Sequence, residues 1–330
     1  MTSNRPFISI LTPTHNRADF LPKLFNSLRA QTFKDFEWVI ANDGSIDESH
    51  VLIKSYMQSE NFKITYIHSS LRVGKSKMDN LLLDNLNGKY IFWCDSDDYL
   101  TNNALEIIKN KIISLARYEN DDDFIGLFGI NNGTDGELQT HYHNNFVPSE
   151  GEYLWQDLEK NVSGDGTIIV NSKLFKGKRF PEIDFLTIES VLLRDLYFNK
   201  KIYFIHDILK IMDRSAENSI THGKKMQYCK GSSYAIAKTI SHKRYKDLSL
   251  KNKLKTLINY IRYSFHGDIS ISNQVRDWEI ARIFFPLFVL LLPAGFLLSY
   301  RDIYLGKVEK THILFEENIS KTKINIKVNF

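Results

Sequence analysis

Cysteine is scarce. The 330 residues hold only Cys94 and Cys229, which excludes a disulfide framework and points to a reducing compartment. Met1 to Pro6 is polar and lacks the apolar stretch of a signal peptide, so the expectation is a cytoplasmic protein. No low-complexity segment breaks the chain. A clean spanning run is missing as well. Ile283 to Leu298 is sixteen apolar residues interrupted by Pro286 and Pro293. As a helix at about 1.5 Å per residue it falls short of the roughly 30 Å hydrocarbon layer. The net charge of +4 hides an imbalance, with −7 over residues 1–222 and +11 over residues 223–330. An acidic front and a basic rear suggest different partners for the two parts. For the rear these are nucleic acid or an anionic membrane surface. No recognised nucleic-acid motif accompanies the charge, which sets nucleic acid aside.

What is present is an alternation. Phe7–Thr12, Phe36–Ala41 and Phe62–Ile67 read as strands, and Leu21, Leu24, Phe25 and Leu28 have helical spacing between the first two. Asp47 is placed to cap the next helix, and Asn87-Gly88 to stop a third that starts near Ser76. Tyr90-Ile91-Phe92-Trp93 then has the composition of a strand buried on both faces, and it runs into Cys94-Asp95-Ser96-Asp97-Asp98. Strands alternating with helices predict a parallel, right-handed α/β sheet. Ligands of such sheets bind outside the carboxyl ends of the strands. Three carboxylates within four residues repel one another unless something positive joins them, and a hard divalent cation does so. The pattern continues with a helix near 103–116, a strand at 124–130, a short strand at 167–170, a helix near 189–198 and strands at 201–206 and 208–212. From Gly223 the chain reads as helical and basic, which gives two domains, 1–222 and 223–330.

Four blocks in register resemble family 2 glycosyltransferases. They are Ile8 to Arg17 with Pro13-Thr14-His15-Asn16-Arg17, Gln31 to Glu37 with Asn42-Asp43-Gly44-Ser45, Gly74 to Ile91 with Asn80 and Gly88, and Asp95-Ser96-Asp97-Asp98. The resemblance implies a GT-A fold, an α/β architecture with a Rossmann-like, mostly parallel central sheet and flanking helices, here followed by a C-terminal helical extension. It implies transfer of a sugar from a nucleotide-diphosphate donor, expected to be a UDP-sugar. Donor binding is expected at Pro13, Thr14, His15, Arg17, Asp43, Lys75, Asp95, Ser96 and Asp97. Asp43 would recognise the nucleobase. Asp97 would bind Mg²⁺ or Mn²⁺ directly, with Asp95 reaching the ribose or a metal-bound water. His15 stands where the family usually has Tyr, and Asp79 where it often has Arg.

An inverting transferase needs a carboxylate to take the acceptor hydroxyl's proton. The family commonly offers Glu-Asp at a late helix start, and this chain has Glu189-Ser190, so the role falls to Glu189. Asp165, in Gly164-Asp165-Gly166, is the second candidate, as base or as a group that orients the acceptor. Arg214 to Thr221 resembles the family's closing Arg-x-His stretch with Ala216 in place of the histidine. Basic amphipathic helices beside the greasy 283–298 stretch suggest a cytoplasmic membrane-surface module. A buried helix or a homo-oligomer contact is the alternative. The leading expectation is an inverting, metal-dependent glycosyltransferase acting on a glycan or lipid-linked acceptor in surface polysaccharide biosynthesis, peripheral on the cytoplasmic face of a membrane. A non-catalytic nucleotide-sugar-binding or scaffold protein is the first rival. A nucleotidyltransferase, which lacks its usual glycine-rich basic loop here, is the second.

Overall fold

The computed structural model describes residues 5–59, 62–183, 189–215, 229–242, 245–246, 248–276, 285–307 and 324–328. They fall into two compact units. The first comprises Met1–Arg179, Leu196–Glu217 and Glu316–Phe330, and the second Phe180–Asp195 and Asn218–Phe315.

The chain opens with β1 (Ile8–Thr14), α1 (Leu21–Arg29), β2 (Phe36–Asp43), α2 (Ser49–Ser59), β3 (Lys63–Ser69), α3 (Lys75–Asn85) and β4 (Tyr90–Trp93). It goes on through β5 (Asp98–Leu100), α4 (Ala104–Ser114), β6 (Phe124–Gly133), β7 (Thr140–Tyr142), β8 (Gly151–Leu154), α5 (Trp155–Asn161), β9 (Val162–Gly164) and β10 (Gly166–Asn171). Next come α6 (Ser190–Tyr197) and β11 (Lys201–Met212), and then the helices α7 (Cys229–Ser241), α8 (Leu250–His266), α9 (Ile271–Arg276) and α10 (Phe285–Tyr304). The last strand is β12 (Ile324–Val328).

One mixed sheet dominates the first unit, in the order β12-β3-β2-β1-β4-β10-β6-β11-β5, with β8 paired to β11. Neighbours among β3, β2, β1 and β4 run parallel, as the alternation predicts, and β11 runs parallel to β6. β10 is antiparallel to both β4 and β6, and β5 is antiparallel to β11. All eight residues of β2 are buried, because helices cover both faces of a sheet built from crossovers. Leu21, Leu24, Phe25 and Leu28 of α1 enter the core, and the Phe25 ring stacks on Tyr56 at 3.7 Å between centroids. Each aliphatic or aromatic side chain fully buried in this way contributes about 1.5–3 kcal/mol.

Two buried polar residues from the motif blocks turn out to be fasteners. The Gln31 amide donates to the carbonyls of Ser27 and Thr101, and its oxygen accepts from the Leu105 N–H, tying α1 to the start of α4. Glu37 is fully buried in β2 and accepts from the Ser9 hydroxyl at 2.6 Å and from the N–H groups of Asn87 and Gly88. Lys63 lies 3.3 Å from its second oxygen. The entry to β4 is thereby pinned to β1 and β2, which fixes the height at which the acidic turn leaves the sheet.

Two expectations change. The strands at 201–206 and 208–212 are one strand, β11, whose register against β6 shifts at irregularities near Phe204–Ile208 and Ile208–Lys210. The tail is not helical throughout either. Ile324 to Val328 pair antiparallel with Ser69 to Thr65 of β3, and the alternation Ile-Asn-Ile-Lys-Val suits a strand.

In the second unit α8 packs on α7 and α10 around Leu257, Tyr260, Ile261 and Phe288. Gly295 lets α10 come close, since a Cβ there would lie 2.4 Å from Ile261 Cγ2. The inward stripe of α10 ends in Asp302, fully buried, which pairs with Arg262 and with His266 at 3.2 Å. Its outward side is apolar. Leu290, Phe296, Leu297, Tyr300 and Tyr304 are each more than half exposed. Arg282 and Ile283, at the start of the apolar stretch, lie outside the described residues.

Candidate active site

The carboxyl edge of the parallel strands gathers the motif residues of the first unit. The loops after β1 and β2 are locked together by their own polar groups. Asn16, at φ 51°, donates its N–H to the Ser45 hydroxyl at 2.9 Å and accepts from the Ile46 N–H at 2.9 Å. The Arg17 N–H donates to Ser49 Oγ at 3.1 Å, and Asp47 accepts from the N–H groups of Ala18 and Ser49. Asp47 thus joins the start of α2, where a cap was expected, to the chain leading into α1. Gly44 makes the turn possible. Its φ is +63°, and a Cβ there would meet the Leu71 carbonyl carbon at 2.5 Å.

Asp43 ends β2 almost fully buried, with Oδ1 accepting from the Val73 N–H at 2.6 Å and Oδ2 from the Gly74 N–H at 2.9 Å. Burial pushes its carboxyl above the usual range, while these two N–H groups pull it back toward the charged form. Its two oxygens are committed to shaping the β3–α3 loop, so a base-recognising role would have to use the remaining lone pairs. His15 donates Nδ1–H to the Asp43 carbonyl at 2.7 Å. Burial and the nearby Arg72 hold the imidazole below its ordinary range, which keeps it neutral near pH 7. Thr14 is buried at the end of β1, and Pro13 is partly buried before it.

The acidic turn after β4 comes with its own counter-charges. Arg17 Nε lies 3.6 Å from Asp97, Lys75 Nζ 3.8 Å from Asp95, and Lys210 Nζ 2.6 Å from Asp98. Each carboxylate therefore faces a cation of this chain. Lys210 and Asp98 are both nearly inaccessible. Although burial opposes its charge, Asp98 holds the Lys210 ammonium protonated, above the usual lysine range. Burial pushes the Asp98 carboxyl up to about 6 even so, and Asp97 shifts in the same direction. Burial and the charge of Asp95 push its carboxyl up, with Arg17 only partly compensating. Asp79 is buried one turn into α3 and pairs with Lys75 at 3.2 Å. Ser96 is buried in the turn, and burial also pushes the Cys94 thiol well up, so it stays protonated.

These groups fit a hard divalent cation. Asp95 is half-exposed, Asp97 carries excess negative charge that such an ion would relieve, and carboxylate oxygens are its preferred donors. Among the described residues no group of three or more His, Cys, Asp or Glu forms a ready-made cage. An ion held here would therefore need diphosphate oxygens and waters to complete its shell.

β10 runs antiparallel to β4, so its beginning lies at the same edge as the acidic turn. Asp165 just precedes it and accepts from Arg214 through Oδ2 at 2.5 Å. Glu189 belongs to the second unit, exposed in the turn before α6, where its carbonyl accepts from the N–H groups of Leu192 and Leu193. The structure gathers Pro13, Thr14, His15, Arg17, Asp43, Lys75, Asp95, Ser96, Asp97 and Asp165 on one edge of one unit, and Glu189 is not among them. Ala216 lies outside the described residues. Lys210 was missed. Its signal was a lysine inside the apolar run Ile208-Leu209-Lys210-Ile211, a position that needs a buried partner.

The family profile described as "Glycosyl transferase family 2" matches residues 9–178. Among curated proteins, the chain is 27% identical over 214 residues to "Glycosyltransferase GlyA" of Streptococcus pneumoniae, covering 63% of this chain but 30% of that one. It is 26% identical over 221 residues to the "GalNAc(5)-diNAcBac-PP-undecaprenol beta-1,3-glucosyltransferase" of Campylobacter jejuni, covering 66% and 68%. Among solved structures, Staphylococcus aureus TarS 1–349 in complex with UDP-GlcNAc superposes with a TM-score of 0.53 at 18% identity, covering 87% of this chain and 80% of that one. The mannosyltransferase PcManGT of Pyrobaculum calidifontis, in complex with GDP-Man and Mn²⁺, superposes with a TM-score of 0.51 at 13% identity, covering 92% and 83%. These likenesses bear out the expected fold.

Proposed function

The chain belongs to glycosyl transferase family 2, and on that premise we propose that it moves a sugar from a UDP-linked donor to a hydroxyl of a glycan or lipid-linked acceptor, with inversion. The observation that carries this reading is the gathering of Asp95, Asp97, Arg17, Lys75 and Asp43 at the carboxyl edge of one sheet. UDP-GlcNAc in the TarS complex supports the donor class, and the Campylobacter relative's undecaprenol-linked substrate supports the acceptor class. Assembly of a surface polysaccharide at the cytoplasmic face of a membrane is the setting that suits both.

Asp97 and Asp95 would hold a divalent cation, which when bound would supply charge neutralisation to a departing diphosphate. The chain's own groups do the rest. Arg17 and Lys75 are placed beside those carboxylates and add positive potential where charge develops. Asp43 and the loop it braces shape the wall of the nucleotide pocket. Glu189 takes the proton of the acceptor hydroxyl, and Asp165, held through Arg214, orients that acceptor. The +11 rear and the apolar outward side of α10 keep the enzyme on an anionic membrane.

Donor class is tested by thermal shift with UDP- and GDP-sugars, with and without Mn²⁺. Selective stabilisation by one UDP-sugar, larger with the metal, is expected. A chain that responds to no nucleotide sugar is not a transferase of this kind. The carboxylate roles are tested by single-turnover rates of Glu189→Gln and Asp165→Asn, with donor affinity measured in parallel. Glu189→Gln should lose turnover by about 10²-fold or more with donor affinity intact, on the scale of general-base catalysis. Asp165→Asn should chiefly weaken acceptor saturation. If only the Asp165 change stops turnover, the two roles are reversed.

A further inference from the structure

Between α8 and α10 the second unit carries an open groove of about 570 Å³. Helical spacing gives it two unlike sides. Leu250, Leu254 and Ile258 recur every four residues and make one stripe, about 12 Å long at 1.5 Å per residue. Lys251, Lys255 and Asn259 recur at the same interval and make the adjoining one, while Leu298 closes the groove from α10. The volume lies within the roughly 300–1,000 Å³ typical of ligand sites. Both lysines line the groove, and among the described residues neither has an ion-pair partner. An apolar floor beside two lysines suits an amphiphile with an anionic head. Leu298 adjoins the apolar outer side of α10, where Leu297 is 65% exposed.

We propose that this groove holds one acyl chain of an anionic membrane phospholipid, with the lipid phosphate on Lys251 and Lys255. The inference rests on the reading that α10 faces a membrane, and it deepens that reading from general adhesion to a built lipid site. A membrane surface offers chain and phosphate together, in the geometry that the two stripes present. The charge term draws the lipid in and is screened by salt, whereas the buried chain is not.

The test is calorimetric titration of the full-length protein with a short-chain phosphatidylglycerol below its micelle concentration. The phosphocholine lipid of equal chain length and inorganic phosphate serve as comparators. Saturable one-to-one binding of the anionic lipid is expected, at least tenfold tighter than the phosphocholine lipid and with no matching response to phosphate. Lys251→Glu/Lys255→Glu should weaken it at least tenfold, and Ile258→Trp, whose ring fills the floor, should abolish it. Circular dichroism melts show whether the tryptophan variant folds, and the charge variant decides the matter if it does not. Binding equal in the wild type and the charge variant, or phosphate binding as tightly as lipid, overturns the site. Flotation on anionic vesicles separates the two readings. A protein that floats yet ignores the short-chain lipid keeps the membrane and loses the groove, and one that neither floats nor binds that lipid loses both.

Discussion

Asp97→Asn is expected to reduce glycosyl transfer by roughly 10³-fold or more, which corresponds to the several kcal/mol that a bound cation supplies to a departing diphosphate. The change is nearly isosteric, and it removes a carboxylate that burial and Asp95 push above the usual range although Arg17 lies 3.6 Å away. Folding should be little affected. The pair with Arg17 is long, at 3.6 Å, and the change also removes the repulsion between Asp97 and Asp95. The measurement is initial rate against Mn²⁺ and Mg²⁺ concentration for both proteins, with a thermal melt as the folding control. A variant that keeps its rate and its metal response would show that Asp97 is not a metal ligand. A variant that loses its rate but keeps wild-type donor affinity in the absence of metal would support the assignment.

Lys210→Met should be the most damaging single change to stability. It strands Asp98 as an unpaired, buried carboxylate, and breaking a buried pair from one side costs about 3–5 kcal/mol. That is a large share of the roughly 5–15 kcal/mol by which domains are stable. The second half of the prediction separates charge from shape. Asp98→Asn combined with Lys210→Met removes both charges, and urea melts should show most of the lost stability restored. Equal losses in the single and the double variant would mean that packing of the lysine stem, and not the ion pair, is what β5 and β11 depend on. Because Asp98 donates its N–H to the Asp95 carbonyl at 3.0 Å, loosening the pair should also weaken donor binding through the acidic turn.

Much of this is legible in the sequence. The first four strands stand out as short runs rich in apolar, aromatic and β-branched residues, and α1 between the first two carries clear amphipathic spacing. The acidic turn is readable because carboxylates crowded after a buried strand demand a reason. Other parts were silent for physical reasons. β5 is three residues long, too short to show any period, and its partner β11 lies more than a hundred residues away. Glu37 and Gln31 belong to motif blocks, but nothing local says that they are bolts between elements and not surface groups. The three cations facing the turn come from residues 17, 75 and 210, and only the fold brings them together. The role of Asp43 as a brace was hidden too, because its partners are backbone N–H groups, which every sequence has.

The return of β12 to β3 has a consequence for how the protein can be cut. Without residues 324–328 the flank of β3 from Thr65 to Ser69 would present a bare row of N–H and C=O groups, an open template for another chain. The helical unit is therefore not an appendage that a stop codon removes cleanly. Its longer segment, Asn218–Phe315, is an insertion in the sequence between β11 and a closing strand. A truncated catalytic unit would carry an adhesive margin, and its self-association would be a product of the deletion.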